Sequence, residues 1–113
     1  MKKNLKLSKD LFIEIKPTSG TGKGGKLFKE KLANILKENY NSTKVNDVSY
    51  FEITMIFFFK DERKKIDLDN LVKPVLDAFI GLIYKDDTQV FGLNLKKRYN
   101  QIINGISIKI YKQ

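Results

Sequence analysis

The stretch from Tyr50 to Phe59 constrains the fold more than any other part of the chain. Nearly all of its side chains are β-branched or aromatic, and Glu52 is the only charged one. Such side chains favour the pleated conformation, and a strand with so few polar positions is typical of a sheet interior. The stretch therefore predicts a central strand that is buried on both faces or nearly so.

Three further strands are predicted by apolar residues that alternate with polar ones. The first spans Leu11–Ile15 and is closed by Pro17. The last two cover Phe91–Leu95 and Ile106–Ile110, and because they follow each other directly we expect them to pair as a hairpin.

Two amphipathic helices are predicted from apolar residues at helical spacing, over about Leu27–Tyr40 and Asp69–Ile80. Asp69 or Asn70 can cap the second helix, and Gly81 suits the position just after its end. The order strand, helix, strand, helix, strand, strand predicts an α/β fold of the α+β type. We expect one compact domain over residues 1–113, with two helices packed on a mixed sheet of about four strands.

Two residue types that carry much of protein chemistry are missing. The chain has no cysteine and no histidine. This excludes disulfides, zinc fingers, a cysteine nucleophile and a histidine general base. A metal site would have to be built from carboxylate, amide and backbone oxygens, which favours Mg²⁺, with Mn²⁺ as a substitute.

Membrane insertion and secretion are not expected from this sequence. The longest apolar run, Met55–Phe59, is much shorter than the roughly 20 residues that span a bilayer. The lysine-rich start, Met1–Lys6, is not followed by the apolar region of a signal peptide. We therefore expect a cytoplasmic protein.

The charge of the chain is high and unevenly distributed. Its formal net charge is +9, which indicates a polyanionic partner such as nucleic acid, although basic charge can also serve solubility alone. Between Asp67 and Asp87, however, there are five aspartates and two lysines. A short acidic region thus interrupts a basic protein.

The acidic region begins where an extended segment is predicted to enter the second helix. Asp67 and Asp69 are two positions apart, so both carboxylates can point the same way. Asp86 and Asp87 follow in a short loop and can converge with them. Carboxylates that cluster without a cation repel one another, so convergence would favour a metal ion. The alternative is a helix cap followed by a solvated turn.

The residues from Lys64 to Val90 resemble the signature of the RusA family of Holliday junction resolvases. In that family, DxDNxxKxxLDALxG is followed closely by DDxQV, and this chain reads DLDNLVKPVLDAFIG and then DDTQV. The matching positions are Asp67, Asp69, Asn70, Lys73, Leu76, Asp77, Ala78, Gly81, Asp86, Asp87, Gln89 and Val90. Two residues depart from the pattern: Phe79 stands where leucine is usual, and Pro74 is an unusual neighbour of the lysine.

The resemblance implies a homodimeric, Mg²⁺-dependent endodeoxyribonuclease that resolves four-way junctions by paired nicks. It also implies a role in DNA recombination and repair in a bacterial or prophage setting. The catalytic acids of the family match Asp67, Asp69 and Asp87, which would hold the metal, and its catalytic lysine matches Lys73. We expect Lys73 to offset charge in the transition state and Asp86 to be a further ligand or an outer group.

Other polar residues of this region are assigned to structure or to DNA binding. Asp77 is expected to form a salt bridge with Lys73 or with another basic neighbour. The residues expected to contact DNA are Lys23, Lys26, Asn70, Lys64 and Lys65.

The glycine-rich stretch Ser19–Gly25 allows more than one interpretation. With the residues that follow it reads GTGKGGKL, which is close to a phosphate-binding P-loop. Leu27, however, replaces the hydroxyl residue that such a loop uses to coordinate magnesium. We expect no nucleotide cofactor, and either a mobile basic loop that contacts DNA phosphates or a plain surface loop.

Two classes of function remain open at this point. One is the junction resolvase, and the other is a non-catalytic basic module that binds nucleic acid. The acidic region favours the first, because a pure binder gains nothing from carboxylates placed where phosphates approach.

Overall fold

A computed structural model of the chain describes residues 5–39, 48–61 and 65–113. Its helices and strands, in chain order, are β1 (Lys6–Ile13), α1 (Gly22–Asn39), β2 (Phe51–Phe58), α2 (Leu68–Phe79), β3 (Val90–Arg98) and β4 (Gly105–Lys112). A single 3₁₀ turn, Asp87–Gln89, precedes β3. The predicted fold class, a mixed four-stranded sheet with two helices, is confirmed. None of the described helices is long and apolar enough to cross a membrane.

The residue contacts divide the chain into two compact units. The sheet unit comprises Met1–Pro17, Ser49–Lys64 and Thr88–Gln113, and the helical unit comprises Thr18–Val48 and Lys65–Asp87. The single domain expected over residues 1–113, with helices packed on the sheet, stays a prediction.

The strand order in the sheet is β1-β4-β2-β3. β4 pairs antiparallel with both β1 and β2, whereas β3 pairs parallel with β2. The predicted hairpin of the last two strands is therefore wrong, because β2 lies between β3 and β4. Alternation of apolar residues identifies a strand, but not which other strand it pairs with.

The connection from β3 to β4 passes around the end of β2. The backbone N–H of Phe59 donates to the carbonyl of Arg98, and the N–H of Gln101 donates to the carbonyl of Phe59. The side-chain oxygen of Asn104 accepts a hydrogen bond from the N–H of Lys60, at 2.9 Å. These bonds hold the crossover in place.

The central position predicted for the strand in Tyr50–Phe59 is confirmed, since β2 pairs on both edges. Its burial differs from the prediction on one face. Phe51, Ile53, Met55 and Phe57 are buried, whereas the residues that alternate with them are only partly buried. The sequence predicts burial on both faces because the second face also carries an isoleucine and a phenylalanine.

α1 begins five residues earlier than predicted. The stretch Gly22–Gly25 forms its first turn, and the predicted start was Leu27. Glycine has a low helix propensity, so the glycine-rich stretch reads as a loop in the sequence. Gly22 has a φ of +69°, a left-handed conformation that favours glycine.

α2 matches its prediction to within one residue at each end. Most of its predicted apolar stripe is buried, at Leu71, Val72, Val75 and Phe79, whereas Leu76 is partly buried and Ile80 is exposed. Gly81 follows the C-cap residue with a φ of +84°, which confirms its predicted role after the end of the helix.

Candidate functional site

The start of α2 carries two exposed aspartates. Asp67 is the N-cap residue, with extended φ and ψ of −63° and 145°, and Asp69 lies in the first turn. The prediction that Asp69 or Asn70 caps the helix is wrong, because the helix starts at Leu68. The Asp67 side chain makes no capping hydrogen bond. Among the described residues, neither carboxylate forms an ion pair.

The glycine-rich stretch is fixed against α2 rather than exposed as a free loop. The Gly20 N–H donates to the Asn70 carbonyl at 3.2 Å. A side chain at Gly20 would approach the Pro74 ring to 3.1 Å, so Gly20 lies directly against that ring. Because Gly20 lies two residues before the start of α1, the first turn of α1 begins beside the first two turns of α2. Lys23 and Lys26 are exposed on this part of α1.

Pro74 explains why the Asn70 carbonyl is open to Gly20. A helix residue normally donates its N–H to the carbonyl four positions earlier, and proline has no N–H. The carbonyl of Asn70 thus lacks its intrahelical partner, and the Gly20 N–H takes that place. Pro74, the unusual neighbour of Lys73 in the sequence, has a structural role in joining the two helices.

Asp77 forms an ion pair with Lys29 of α1. The Lys29 Nζ and an Asp77 carboxylate oxygen are 3.6 Å apart, and both side chains are about two-fifths exposed, at 42% and 38%. The salt bridge expected for Asp77 is thus formed with Lys29 and not with Lys73. A pair at this exposure contributes roughly 0–1 kcal/mol. Lys73 itself is exposed and has no ion pair among the described residues.

The loop that carries Asp86 and Asp87 is positioned by Tyr84. The Tyr84 side chain is fully buried, its hydroxyl donates to the Leu76 carbonyl at 2.8 Å, and its ring meets Phe79 edge-on. The Gly81 N–H donates to the Tyr84 carbonyl at 2.7 Å. These contacts fold the chain back under the second half of α2.

The electrostatics of Tyr84 show where the loop acids lie. Burial raises the pKa of the Tyr84 phenol above its ordinary value, and the charges of Asp87, Asp77 and Asp86 raise it further. Tyr84 is therefore a hydrogen-bond donor and not a base at neutral pH. The carboxylates of Asp77, Asp86 and Asp87 thus each act on the Tyr84 phenol.

The described part of the chain does not bring the predicted metal ligands into one group. No set of three or more acidic side chains lies close enough there to hold a metal ion. Asp67 and Asp69 lie at the start of α2, whereas Asp86 and Asp87 lie in the segment between α2 and β3. Along α2, Asp69 and Asp77 are separated by about 12 Å at 1.5 Å per residue. The four-ligand set stays a prediction.

The donor chemistry nevertheless fits a hard divalent cation. All four candidate ligands are exposed carboxylates, and Mg²⁺ is usually bound by one or two carboxylates together with water and substrate phosphates. The pair at the start of α2 meets that smaller requirement. The favourable N-terminal end of the helix dipole also stabilises the two negative charges.

The predicted DNA-binding residues lie mostly on the same unit. Lys23, Lys26, Lys65 and Asn70 are exposed residues of the helical unit. Lys64 lies outside the described residues.

Three residues of structural importance were not identified from the sequence. Tyr84 and Lys29 hold the acidic region in place, as described above. Gln89 donates from its side-chain amide to the Ser49 carbonyl at 2.9 Å, which ties the start of β3 to the residues before β2. The only sequence feature that pointed to Gln89 was its place in the DDTQV motif.

Comparisons with known proteins identify the family of the chain. The family model described as endodeoxyribonuclease RusA matches residues 15–111, nearly the whole chain. The chain is also similar to the uncharacterized protein YqaN of Bacillus subtilis (strain 168), with 54% identity over 37 residues. That similarity covers 33% of this chain and only 26% of the length of YqaN. Because the family match extends far beyond the acidic motif, the chain belongs to the RusA family of endodeoxyribonucleases.

Proposed function

We propose that the chain is an Mg²⁺-dependent endodeoxyribonuclease that resolves four-way DNA junctions by paired nicks, in DNA recombination and repair. The observation that carries the proposal is the family match over residues 15–111, which includes both aspartate pairs and Lys73. Nucleases of this type generally use a divalent metal ion. A bacterial or prophage setting is part of the same proposal.

The chemistry assigns a role to each acidic position. Asp67, Asp69 and Asp87 would hold the metal, with Asp86 as a further ligand or an outer group. When bound, the ion polarises the scissile phosphate and lowers the pKa of a bound water. The carboxylates would fix the position of the metal ion. Their own negative charge repels DNA phosphates unless a cation offsets it.

The basic residues around the acids bind and orient the substrate. Lys73 is exposed on the same helix as Asp67 and Asp69, and it stabilises the negative charge that develops on the phosphate. The remaining DNA-binding candidates, which hold backbone phosphates on either side, are Lys23, Lys26, Lys64, Lys65 and Asn70. The contact between Gly20 and Asn70 supports this arrangement, since it holds the lysines of α1 beside the start of α2.

The active form is proposed to be a homodimer. Resolving a four-way junction requires two opposed cuts, and each chain supplies one acidic region, so a twofold axis would provide two identical sites. Sedimentation at micromolar concentration, with and without junction, tests this. Monomers under both conditions would contradict the paired-nick mechanism and leave a single-nick enzyme.

The test of the proposal is single replacement of Asp67, Asp69 and Asp87 by Asn, which preserves shape and removes charge. Each variant should lose roughly a thousandfold or more in Mg²⁺-dependent cleavage of a synthetic four-way junction, at about 1.4 kcal/mol per factor of ten. Junction binding in EDTA should be unchanged or tighter, because a negative charge has been removed.

Asp10→Asn is the matched control. Asp10 is exposed on β1, and its replacement removes the same charge from the sheet unit. It should leave cleavage unchanged. Near wild-type cleavage by all three α2 and loop variants would show that the assigned site is wrong.

The second candidate function is a non-catalytic basic module that binds nucleic acid. It is favoured by the lack of a three-acid group among the described residues. Junction binding without nicking in Mg²⁺ or Mn²⁺ would select it.

A further inference from the structure

One face of the sheet is only partly buried and carries both aromatic and basic side chains. It is the face on which Ile56 and Phe58 of β2 lie, opposite to the buried Met55 and Phe57. Strand register places Lys96 and Arg98 of β3 directly beside Ile56 and Phe58. On the other side of β2, Ser107 of β4 is the register partner of Ile56. Phe12 of β1 is the register partner of Ser107. We call these six residues the aromatic-basic patch.

In the aromatic part of the patch the Phe12 ring is exposed and the Phe58 ring is partly buried. The Phe12 ring lies over Gly105, where an added Cβ would come within 2.8 Å of two ring carbons. Because Gly105 has no side chain, the Phe12 ring can pack directly on its backbone. Phe12 is nevertheless 47% exposed, and its ring centroid lies 5.9 Å from that of Phe58. Exposed rings on a sheet face are platforms on which nucleic-acid bases stack.

The basic part of the patch lies next to these rings. Lys96 and Arg98 are both exposed, and Arg98 is the register neighbour of Phe58. The patch contains no acidic residue. Two acidic residues lie elsewhere on the same face. Asp10 is the register partner of Lys109, and Glu52 lies six residues from Phe58 along β2. The electrostatic environment therefore favours a polyanion.

We infer that the aromatic-basic patch binds an unpaired strand of DNA, whose bases stack on Phe12 and Phe58 and whose phosphates contact Lys96 and Arg98. Unpaired strands are bound in this way when aromatic rings and cations lie side by side, because every base has a stacking face. A junction nuclease meets unpaired nucleotides wherever arms separate. The inferred surface lies wholly on the sheet unit and does not depend on the carboxylates of the proposed active site.

A second copy of the chain is a poorer occupant of this patch. In a twofold interface the same surface of each copy meets the other, so Lys96 and Arg98 of both copies would bring four cations into one contact. Like charges in that position repel, and they would have to lose water as well. A strand of DNA instead supplies the opposite charge.

The test measures binding of a fluorescein-labelled dT15 oligonucleotide by anisotropy, in EDTA so that no cleavage occurs. The double replacement Lys96→Gln and Arg98→Gln removes two cations. Its control, Lys31→Gln and Lys37→Gln, removes two exposed lysines of α1 and gives the same net charge. The patch variant should bind more weakly than the control. The slope of log affinity against log salt should also fall by about 1.4, at about 0.7 per phosphate contact on single strands.

The contribution of stacking is tested by Phe12→Leu, which keeps an apolar cover over Gly105 but removes the ring. Affinity for dT15 should fall by between about fivefold and a hundredfold, without loss of the folded state by circular dichroism. Equal dT15 binding by the patch variant and its control would overturn the inference. So would a change in oligomeric state without a change in affinity, because the patch would then join two copies.

The inference and the proposed function can fail separately. If the wild-type protein cleaves junctions while the patch variants bind dT15 like their controls, the inference is wrong and the proposed function stands. If no junction is cleaved but dT15 binding depends on the patch, the proposed function is wrong and the inference stands.

Discussion

Two neighbouring glycines at the start of α1 are predicted to respond in opposite ways to replacement by alanine. An added Cβ at Gly24 meets nothing within 4 Å. At Gly25 it would lie 2.6 Å from the Gly20 carbonyl oxygen and 2.8 Å from that of Ser19, both backbone atoms. Gly24→Ala should therefore stabilise the protein, and Gly25→Ala should destabilise it.

The magnitudes follow from helix propensity and from the displaced contacts. Alanine is better than glycine within a helix by about 0.8–1.0 kcal/mol, and both variants receive that gain in part, since they lie in the first turn. For Gly25→Ala, the Gly20 backbone has to move from 2.6 Å to at least the 3.4 Å of an ordinary contact. Such overpacking costs about 1–3 kcal/mol. Loss of the hydrogen bond from Gly20 to Asn70 adds about 1 kcal/mol.

The net expectation is a stabilisation of about 0.5–1 kcal/mol for Gly24→Ala and a destabilisation of about 1–3 kcal/mol for Gly25→Ala. Urea denaturation measures both, and a melting curve should show shifts of opposite sign, of roughly 4 °C per kcal/mol. Gly25→Ala should also weaken junction binding in EDTA, since Lys23 and Lys26 lose their fixed position beside α2. Equal stability of the two variants would refute the close approach of Gly25 to Gly20.

Three further outcomes are expected. Junction binding should weaken on the order of a thousandfold between 50 and 200 mM salt if about six phosphates are contacted, and a nearly flat response would rule out DNA as the partner. Lys73→Ala should reduce cleavage far more than stability or affinity, because the side chain is exposed and forms no ion pair among the described residues. A large fall in melting temperature would instead show that Lys73 has a structural role. Tyr84→Phe should lose about 1 kcal/mol at pH 7, because the hydrogen bond to Leu76 is removed. The raised pKa of Tyr84 keeps its phenol protonated where an unfolded tyrosine ionises, so this stabilisation is complete below about pH 10 and lost at higher pH. Denaturation at pH 9 and 11 should thus show a smaller alkaline loss in Tyr84→Phe than in wild type, and identical losses would contradict the buried, acid-flanked position of Tyr84.

Elements with a strong local pattern were predictable from the sequence. The apolar stripe and the following Gly81 identified α2 to within one residue at each end, because side chains four apart necessarily share a helix face. The composition of Tyr50–Phe59 identified the central strand. In both cases the decisive information lies within one segment of the chain.

Features that depend on distant segments were not predictable in the same way. The sheet places β4 between β1 and β2, a choice that no pattern within β3 or β4 can express. The helical start at Gly22 depends on how closely Gly20 and Gly25 approach each other, whereas propensity alone favours a later start. The candidate site has the same limit. Sequence spacing puts Asp67 near Asp69. The distance from either residue to Asp87, however, depends on the turn that the contacts of Tyr84 stabilise.

Pro74 illustrates how a local disadvantage can serve the site. Proline inside a helix costs about 3 kcal/mol or more, chiefly because a carbonyl loses its donor and the ring crowds the preceding turn. In this chain the Gly20 N–H supplies the missing donor to Asn70, and the buried ring packs against Gly20, which has no side chain to obstruct it. Part of the cost is therefore offset by a contact between segments that an ordinary helix residue at position 74 would not allow. That contact joins the start of α1, with Lys23 and Lys26, to the start of α2. The departure from the family pattern beside Lys73 thus has a structural reason within the helical unit.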